Sequence, residues 1–226
     1  METETALAEK VVAWFRDQHW TVYQECGHNG TADIVAVKGP LVYVVECKLQ
    51  FSFSVIEQAE RWLKYAHYVS VAVPSRKSTW FKERVCSEFG IGVLHVYSWP
   101  DRAPDTEWHP DSVYTRMDPV FRRKVHHSLR ESLMEEHKTY AKAGSPTGRR
   151  WTPFKKACKE LAELAARHPE GLPLKTFCEK ATFTGYRSKN IAARKRSVVD
   201  WVDRGLVPGV KLERRNRRVF VLPDSH

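Results

Sequence analysis

Two short runs of β-branched and aromatic residues, joined by Gly39-Pro40, most constrain the fold of this chain. Residues 31–37 read Thr-Ala-Asp-Ile-Val-Ala-Val, and residues 41–48 read Leu-Val-Tyr-Val-Val-Glu-Cys-Lys. Runs of this kind, bounded by turn-forming residues, are typical of β-strands. The pattern therefore predicts a strand, a tight turn and a second strand that pairs with the first.

Each run carries charged groups next to apolar residues. Asp33 precedes Ile34-Val35, and Glu46 follows Val44-Val45, with Lys48 two residues later. Because an unpaired charge is costly in a buried strand, a carboxylate there usually has a metal or a charged partner. Carboxylate oxygens suit Mg²⁺ or Mn²⁺, and a neighbouring ammonium can orient water or offset negative charge. The three residues indicate a site suited to phosphodiester hydrolysis; the alternative is a solvated strand edge.

The order of Asp33 and then Glu46-Cys47-Lys48 on the next strand resembles the metal-binding signature of the PD-(D/E)XK nuclease superfamily. A helical pattern precedes Asp33, and after Lys48 come a helical segment over 55–66 and a strand-like segment over 68–74. The resemblance covers roughly residues 1–100. It implies an α/β fold with a restriction-endonuclease-like αβββαβ core and a mixed central sheet. It also implies Asp33 and Glu46 as ligands of Mg²⁺ or Mn²⁺, with Lys48 as their catalytic neighbour.

Members of this superfamily often add a Glu from the first helix, and Glu4 and Glu9 are the candidates here. At about 100° per residue, Glu4 lies on the apolar face of that helix and Glu9 on nearly the opposite face. That apolar face consists of Leu7, Val11, Trp14 and Phe15. Both acids could equally be solvated residues that complement the helix dipole. Glu25, on a probable strand over 21–25, is a third candidate, and the helical phase favours Glu4 as a metal ligand and catalytic residue.

Gln58 resembles the Gln that exonuclease-like branches of the superfamily carry after the acid-x-Lys strand, where it holds the attacking water or a phosphate. Those branches place a Tyr four residues later, whereas this chain has Trp62. A buried or capping role for Gln58 is the alternative. His28, in the polar loop before Thr31, is a further candidate contact for phosphate or metal.

Positive charge is concentrated in the last third of the chain. Residues 1–143 hold 18 Lys and Arg against 19 Asp and Glu, a net charge of −1. Residues 144–226 hold 19 against 8, a net charge of +11. Such asymmetry indicates a polyanionic partner, because each neutralised phosphate releases counterions. We expect that partner to be DNA; a solvated basic face is the alternative.

The run Ala-Gly-Ser-Pro-Thr-Gly at 143–148 predicts a linker. We therefore expect a nuclease-like domain over 1–100, a connection with a helical segment over 101–149, and a DNA-binding domain over 150–226. Within the connection, apolar residues near helical spacing predict a helix over 119–142.

The expected elements of the C-terminal domain are helices over 154–167, 174–180 and 188–203, then strands over 207–213 and 217–222. This order resembles a winged helix-turn-helix. The resemblance implies that the third helix enters the major groove and that the hairpin contacts the DNA backbone or minor groove. The candidate DNA-binding residues at those positions are Tyr186, Arg187, Ser188, Lys189, Asn190, Arg194, Arg214, Arg215, Arg217 and Arg218.

Composition excludes several other classes. No run approaches the ~18 apolar residues of a membrane span, and the N-terminus lacks the basic and apolar regions of a signal peptide. The five cysteines are widely spaced without a CxxC pair, so neither a disulfide framework nor a zinc site is indicated. We expect an intracellular, cytoplasmic protein with no membrane partner, either monomeric or homodimeric.

These observations favour a metal-dependent DNA endonuclease. Two alternatives remain open: a DNA-binding protein with an inactive nuclease fold, and a structure-selective junction resolvase or repair nuclease.

Overall fold

The computed structural model describes residues 3–27, 30–75, 79–97, 113–144, 151–183 and 190–224. The chain divides into two compact units, residues 1–151 and 152–226. The described residues form an α/β protein with seven α-helices, a six-stranded mixed sheet in the first unit and a three-stranded sheet in the second.

The described part of the first unit consists of helices and strands. In chain order, its elements are α1 Glu4–Asp17, β1 Thr21–Gly27, β2 Thr31–Lys38, β3 Leu41–Cys47, α2 Phe53–Glu60, β4 Tyr68–Pro74, α3 Trp80–Phe89, β5 Gly92–Val96, β6 Val113–Met117, α4 Ser128–Glu131 and the 3₁₀ helix Glu135–Lys138.

The six strands lie in chain order across the sheet, from β1 to β6. Strands β1, β2 and β3 pair antiparallel, β3, β4 and β5 pair parallel, and β6 returns antiparallel to β5. The hairpin expected around Gly39-Pro40 is confirmed: Lys38 faces Leu41 across the turn, and Gly39 has a φ of +56° that suits glycine. The two parallel connections pass through α2 and α3, because parallel neighbours need a crossover.

The sheet is covered on both faces. Val42 and Val44 of β3 pack in the core beneath α2, whereas Tyr43 and Val45 pack in the core beneath α1. A strand buried on both faces reads as a continuous apolar run rather than an alternating one, which explains the composition of residues 41–45. A charged residue at the end of such a strand therefore lies close to a low-dielectric core.

The prediction of one helix over residues 119–142 is wrong. Only α4 and the short 3₁₀ helix form there, and the chain before them is irregular. The backbone N–H groups of Val120, Arg122 and His126 instead donate to the carbonyls of Gly90, His67 and Lys64. Leu129 is fully buried in the core of the first unit and Leu133 packs against that core, so these two residues anchor the segment without one continuous helix.

The described residues of the second unit form three helices and three strands. These are α5 Pro153–Ala166, β7 Leu172–Pro173, α6 Leu174–Lys180, α7 Ile191–Asp203, β8 Val210–Arg215 and β9 Arg218–Pro223. The strands are antiparallel in the order β7-β9-β8. Their core is built from Leu161, Phe177, Val198, Trp201 and Val221.

Two boundaries in the second unit differ from the expected ones. The third helix begins at Ile191, where the Asn190 side chain caps it by accepting from the Ala192 N–H at 2.8 Å. The hairpin turn is Asn216-Arg217, with φ values of 46° and 62° that are typical of a two-residue type I′ turn. Arg214 and Arg215 consequently lie in strand β8 and not in the turn.

The described helices range from 4 to 14 residues. Among them, no helix combines the length and apolar character needed to cross a bilayer. All five cysteines are buried and unpaired, as expected for small apolar residues. Burial, with a contribution from Glu83, raises the pKa of the Cys86 thiol to about 12.

Candidate active site

Asp33 and Glu46 lie side by side at one edge of the six-stranded sheet. Asp33 is near the start of β2 and Glu46 near the end of β3, and antiparallel pairing brings those two ends together. The backbone N–H of Cys47 donates to Asp33 Oδ2 at 2.8 Å. The two carboxyl groups also interact electrostatically, since the charge of Asp33 opposes ionisation of Glu46. We call Asp33 and Glu46 the carboxyl pair.

The carboxyl pair is almost completely buried. Glu46 is 2% exposed and Asp33 8%. Burial, and then the charge of Asp33, raise the pKa of Glu46 well above its ordinary value. Burial also raises the pKa of Asp33, although Lys48 and the Cys47 N–H oppose that rise. Because burial disfavours the charged form of both carboxyl groups, protons compete with a divalent cation for this pair.

Lys48 connects the carboxyl pair to α1. Its Nζ lies 2.9 Å from Glu4 Oε2 and 4.0 Å from Asp33 Oδ2. Partial burial opposes the charge of Lys48, but Asp33 and Glu4 outweigh that effect and raise its pKa. The backbone N–H of Lys48 also donates to the Ala72 carbonyl of β4 at 3.0 Å, which fixes the start of the side chain. Lys48 is therefore a positioned, charged ammonium.

Of the three Glu candidates for completing the site, Glu4 contacts Lys48. Glu9 forms an ion pair with Lys142. The buried Glu25 accepts a hydrogen bond from the Gly144 N–H at 2.9 Å and has a φ of 52°. These contacts give Glu9 and Glu25 structural roles in holding residues 142–144 against α1 and β1.

Trp62 is the residue that sequence reasoning missed. Its indole Nε1–H donates to Glu46 Oε1 at 2.6 Å, and its ring is buried. The sign of this contact in the sequence is a large side chain with an N–H donor, four residues after Gln58. Gln58 lies in α2, and its Oε1 atom is buried without a hydrogen-bond partner in the described part of the chain. His28 lies outside the described residues.

The oxygen donors of the site fit a hard divalent cation. Within the described ranges, no group of three or more His, Cys, Asp or Glu side chains is arranged to hold a metal ion. Mg²⁺, however, commonly binds through one or two carboxylates together with waters and substrate phosphates. The carboxyl pair supplies two such groups. Gln58 Oε1 is a further buried oxygen, and it has no hydrogen-bond partner among the described residues.

Two of the candidate DNA-binding arginines have partners within the second unit. Arg215 makes a two-point ion pair with Glu213, at 2.8 and 3.0 Å, and lies 5.3 Å from the Phe220 ring centroid. Arg194 lies 5.0 Å from the Phe183 ring centroid. Asn190 is occupied as the cap of α7. These contacts favour structural roles for the three side chains.

Arg217 and Arg218 instead line a groove of about 580 Å³ formed by α6, α7 and β9. We call it the basic groove, and its polar lining residues are Lys175, Thr176, Lys195, Arg217 and Arg218. Lys175 was not among the expected residues, since nothing in the local sequence links it to the hairpin. Arg214 is exposed on β8. The expected contacts Tyr186, Arg187, Ser188 and Lys189 lie outside the described residues.

No protein-family model matches the chain, and comparisons with curated proteins and with solved structures also found no match.

Proposed function

We propose that this protein is a metal-dependent DNA endonuclease with a PD-(D/E)XK, restriction-endonuclease-like core. The observation that carries the proposal is the buried carboxyl pair with the Lys48 ammonium 4.0 Å from Asp33. The element order from α1 to β4 is helix, three strands, helix, strand, which matches the αβββαβ pattern of that core.

Asp33 and Glu46 are the proposed ligands of Mg²⁺ or Mn²⁺, with Glu4 and Gln58 as the proposed further oxygen donors. Such an ion, when bound, polarises a phosphodiester and lowers the pKa of water. Trp62 holds Glu46 through the 2.6 Å hydrogen bond, so that its carboxylate is oriented before substrate arrives. Asp33 is held in the same way by the Cys47 N–H.

Lys48 acts in this proposal as a cation and not as a base. Asp33 and Glu4 raise its pKa, so the ammonium keeps its protons at neutral pH. It can stabilise the negative charge that develops on a phosphate and donate a hydrogen bond to an attacking water. Glu4 positions the ammonium through its 2.9 Å contact.

The second unit is the proposed DNA-binding module, of winged-helix type. Its helix, strand, helix, helix, strand, strand order, with β7 paired to β9, supports that assignment. The net charge of +11 in residues 144–226 supports a polyanionic ligand. The basic groove would hold backbone phosphates, since Lys and Arg side chains there converge with the Thr176 hydroxyl.

Cleavage assays with purified protein test the proposal directly. Labelled linear, circular, single-stranded and branched DNA are incubated with Mg²⁺ or Mn²⁺ and with Asp33→Ala or Lys48→Ala protein. We expect both substitutions to abolish cleavage and to leave DNA binding intact. Cleavage that survives in both variants would rule out this site as the active centre.

A DNA-binding protein with an inactive nuclease fold is the second candidate. It is favoured by the Glu4–Lys48 ion pair and by the lack, among described residues, of a three-residue metal-binding group. Tight DNA binding without cleavage on all four substrates and with both metals would support it.

A further inference from the structure

Three aromatic side chains project into solvent from the starts of α2 and α3. Phe53 is 54% exposed, Trp80 70% and Phe81 58%. The rings of Phe53 and Phe81 touch edge to face, with centroids 6.1 Å apart. A clustered group of exposed aromatic rings usually marks a binding surface, whereas single exposed apolar residues are ordinary. We call these three residues the aromatic cluster.

The aromatic cluster lies at the sheet edge that also carries the candidate active site. Strands β3 and β4 are parallel, so their carboxyl ends meet at one edge. Phe53 opens the helix that follows β3, and Trp80 opens the helix that follows β4. Lys48 directly follows β3 and hydrogen bonds to β4 at this same edge.

Basic side chains are interleaved with the aromatic rings. The Arg84 guanidinium lies 5.7 Å from the Trp80 ring centroid, and Lys82, the residue after Phe81, has its Nζ 5.9 Å from the ring centroid of the buried Phe51. The acidic residue between them, Glu83, is paired with Arg116 at 3.3 Å. Aromatic rings with adjacent cations bind single-stranded nucleic acids, because bases stack on the rings and phosphates contact the cations.

We propose that the aromatic cluster is a stacking platform for unpaired bases next to the cleavage site. The proposal rests on the proposed nuclease function and narrows its substrate class to DNA with single-stranded, frayed or branched segments. In an intact duplex both faces of each internal base are covered by its neighbours, so the platform discriminates by strand structure and not by base sequence.

Binding measurements without added divalent metal separate the platform from catalysis. Fluorescence anisotropy is recorded for labelled single-stranded, forked and blunt duplex oligonucleotides. The variants are Trp80→Ala, Phe81→Ala, the stacking-competent Trp80→Phe, and Phe89→Ala as a matched control. Phe89 is 48% exposed at the opposite end of α3.

We expect Trp80→Ala or Phe81→Ala to weaken single-stranded and forked binding about tenfold, the size of one lost stacking contact. Duplex binding stays unchanged, Trp80→Phe restores most of the affinity, and Phe89→Ala binds like the unsubstituted protein. Photo-crosslinking of 5-iodouracil in the single-stranded arm should label Trp80 or Phe81, as identified by mass spectrometry.

Three results would overturn the platform. These are an equal loss of affinity for duplex and single strands, an equal effect of Phe89→Ala, and a dimer that dissociates on Trp80→Ala in sedimentation experiments. If the protein cuts DNA but its strand preference is unchanged in the variants, the platform alone fails. If no DNA is cut but the expected binding losses occur, the nuclease proposal fails and the platform stands.

Discussion

The indole N–H of Trp62 donates a 2.6 Å hydrogen bond to Oε1 of the buried Glu46. Glu46 lies near the end of a strand that is covered on both faces, and its side chain is 2% exposed. Trp62 thus supplies a hydrogen-bond donor to a carboxyl group that water barely reaches.

Trp62→Phe tests how much that hydrogen bond contributes to the free energy of unfolding. The substitution leaves a buried carboxyl oxygen without its donor, which costs about 1–3 kcal/mol of the free energy of unfolding. Urea denaturation at pH 7 measures the loss, and the double-mutant cycle with Glu46→Ala, which removes the acceptor, separates the hydrogen bond from lost ring packing. Trp80→Phe, at an exposed position, is the control. A coupling energy of zero in the cycle would contradict this role of Trp62.

The strands around the site could be predicted from the sequence, whereas the Trp62 contact could not. Continuous β-branched runs around Gly39-Pro40 define the hairpin locally, and antiparallel pairing then brings Asp33 and Glu46 together. The Trp62 contact depends on α2 ending at Glu60, six residues before the expected end at Ala66. Trp62 therefore lies in the turn that follows α2 and not in the expected helix.

The contacts of the arginines in the second unit could likewise not be predicted from the sequence. The clustering of Arg214, Arg215, Arg217 and Arg218 is visible in the sequence, but their roles depend on the register of the β8–β9 hairpin. With Glu213 opposite Phe220, the Arg215 side chain reaches both of them. Arg217 and Arg218 line the basic groove instead. Register is set by a two-residue turn that composition alone does not locate.

Glu46→Gln should stabilise the metal-free protein at neutral pH. The folded-state pKa of Glu46 is raised by burial and by Asp33, so ionisation favours the unfolded chain. Stability is therefore lost as the pH rises from the unfolded pKa of about 4.3 toward the folded value, and Gln removes that loss. Thermal unfolding in EDTA should show a higher Tm for Glu46→Gln at pH 7 and no difference below about pH 4. A Tm difference between the two proteins that does not change with pH would show that folding does not raise the pKa of Glu46.

Mg²⁺ or Mn²⁺ should raise the Tm of the unsubstituted protein. A ligand that binds only the folded state at 100 times its Kd adds about 2.7 kcal/mol to the free energy of unfolding. Asp33→Ala and Glu46→Gln should abolish the metal-dependent part of the shift, because each removes a carboxylate of the pair. Glu57→Gln, which changes an exposed acid on α2, should leave it intact. An equal shift in all four proteins would indicate binding elsewhere.

Metal binding should also release protons, because burial and the charge of Asp33 disfavour ionisation of Glu46 in the absence of metal. Calorimetric titration with Mg²⁺ in two buffers of different ionisation enthalpy measures the number released. We expect up to one proton at pH 6, and fewer as the pH rises. A buffer-independent heat at pH 6 would mean that both carboxyl groups are already ionised.

If the basic groove contacts phosphates, DNA binding should weaken as the salt concentration rises. Each phosphate contact adds about 0.9 to the slope of log K against log salt concentration, because counterions are released on binding. Lys195→Ala and Arg217→Ala should each weaken duplex binding and reduce the slope by about one. Arg215→Ala should leave the slope unchanged, since Glu213 holds its guanidinium away from DNA. Arg204→Ala, which removes the same charge from an ion pair on α7 with Asp200, is the control for net charge. Equal slope changes in Arg217→Ala, Arg215→Ala and Arg204→Ala would show that the whole unit attracts DNA through its net charge, without a defined groove.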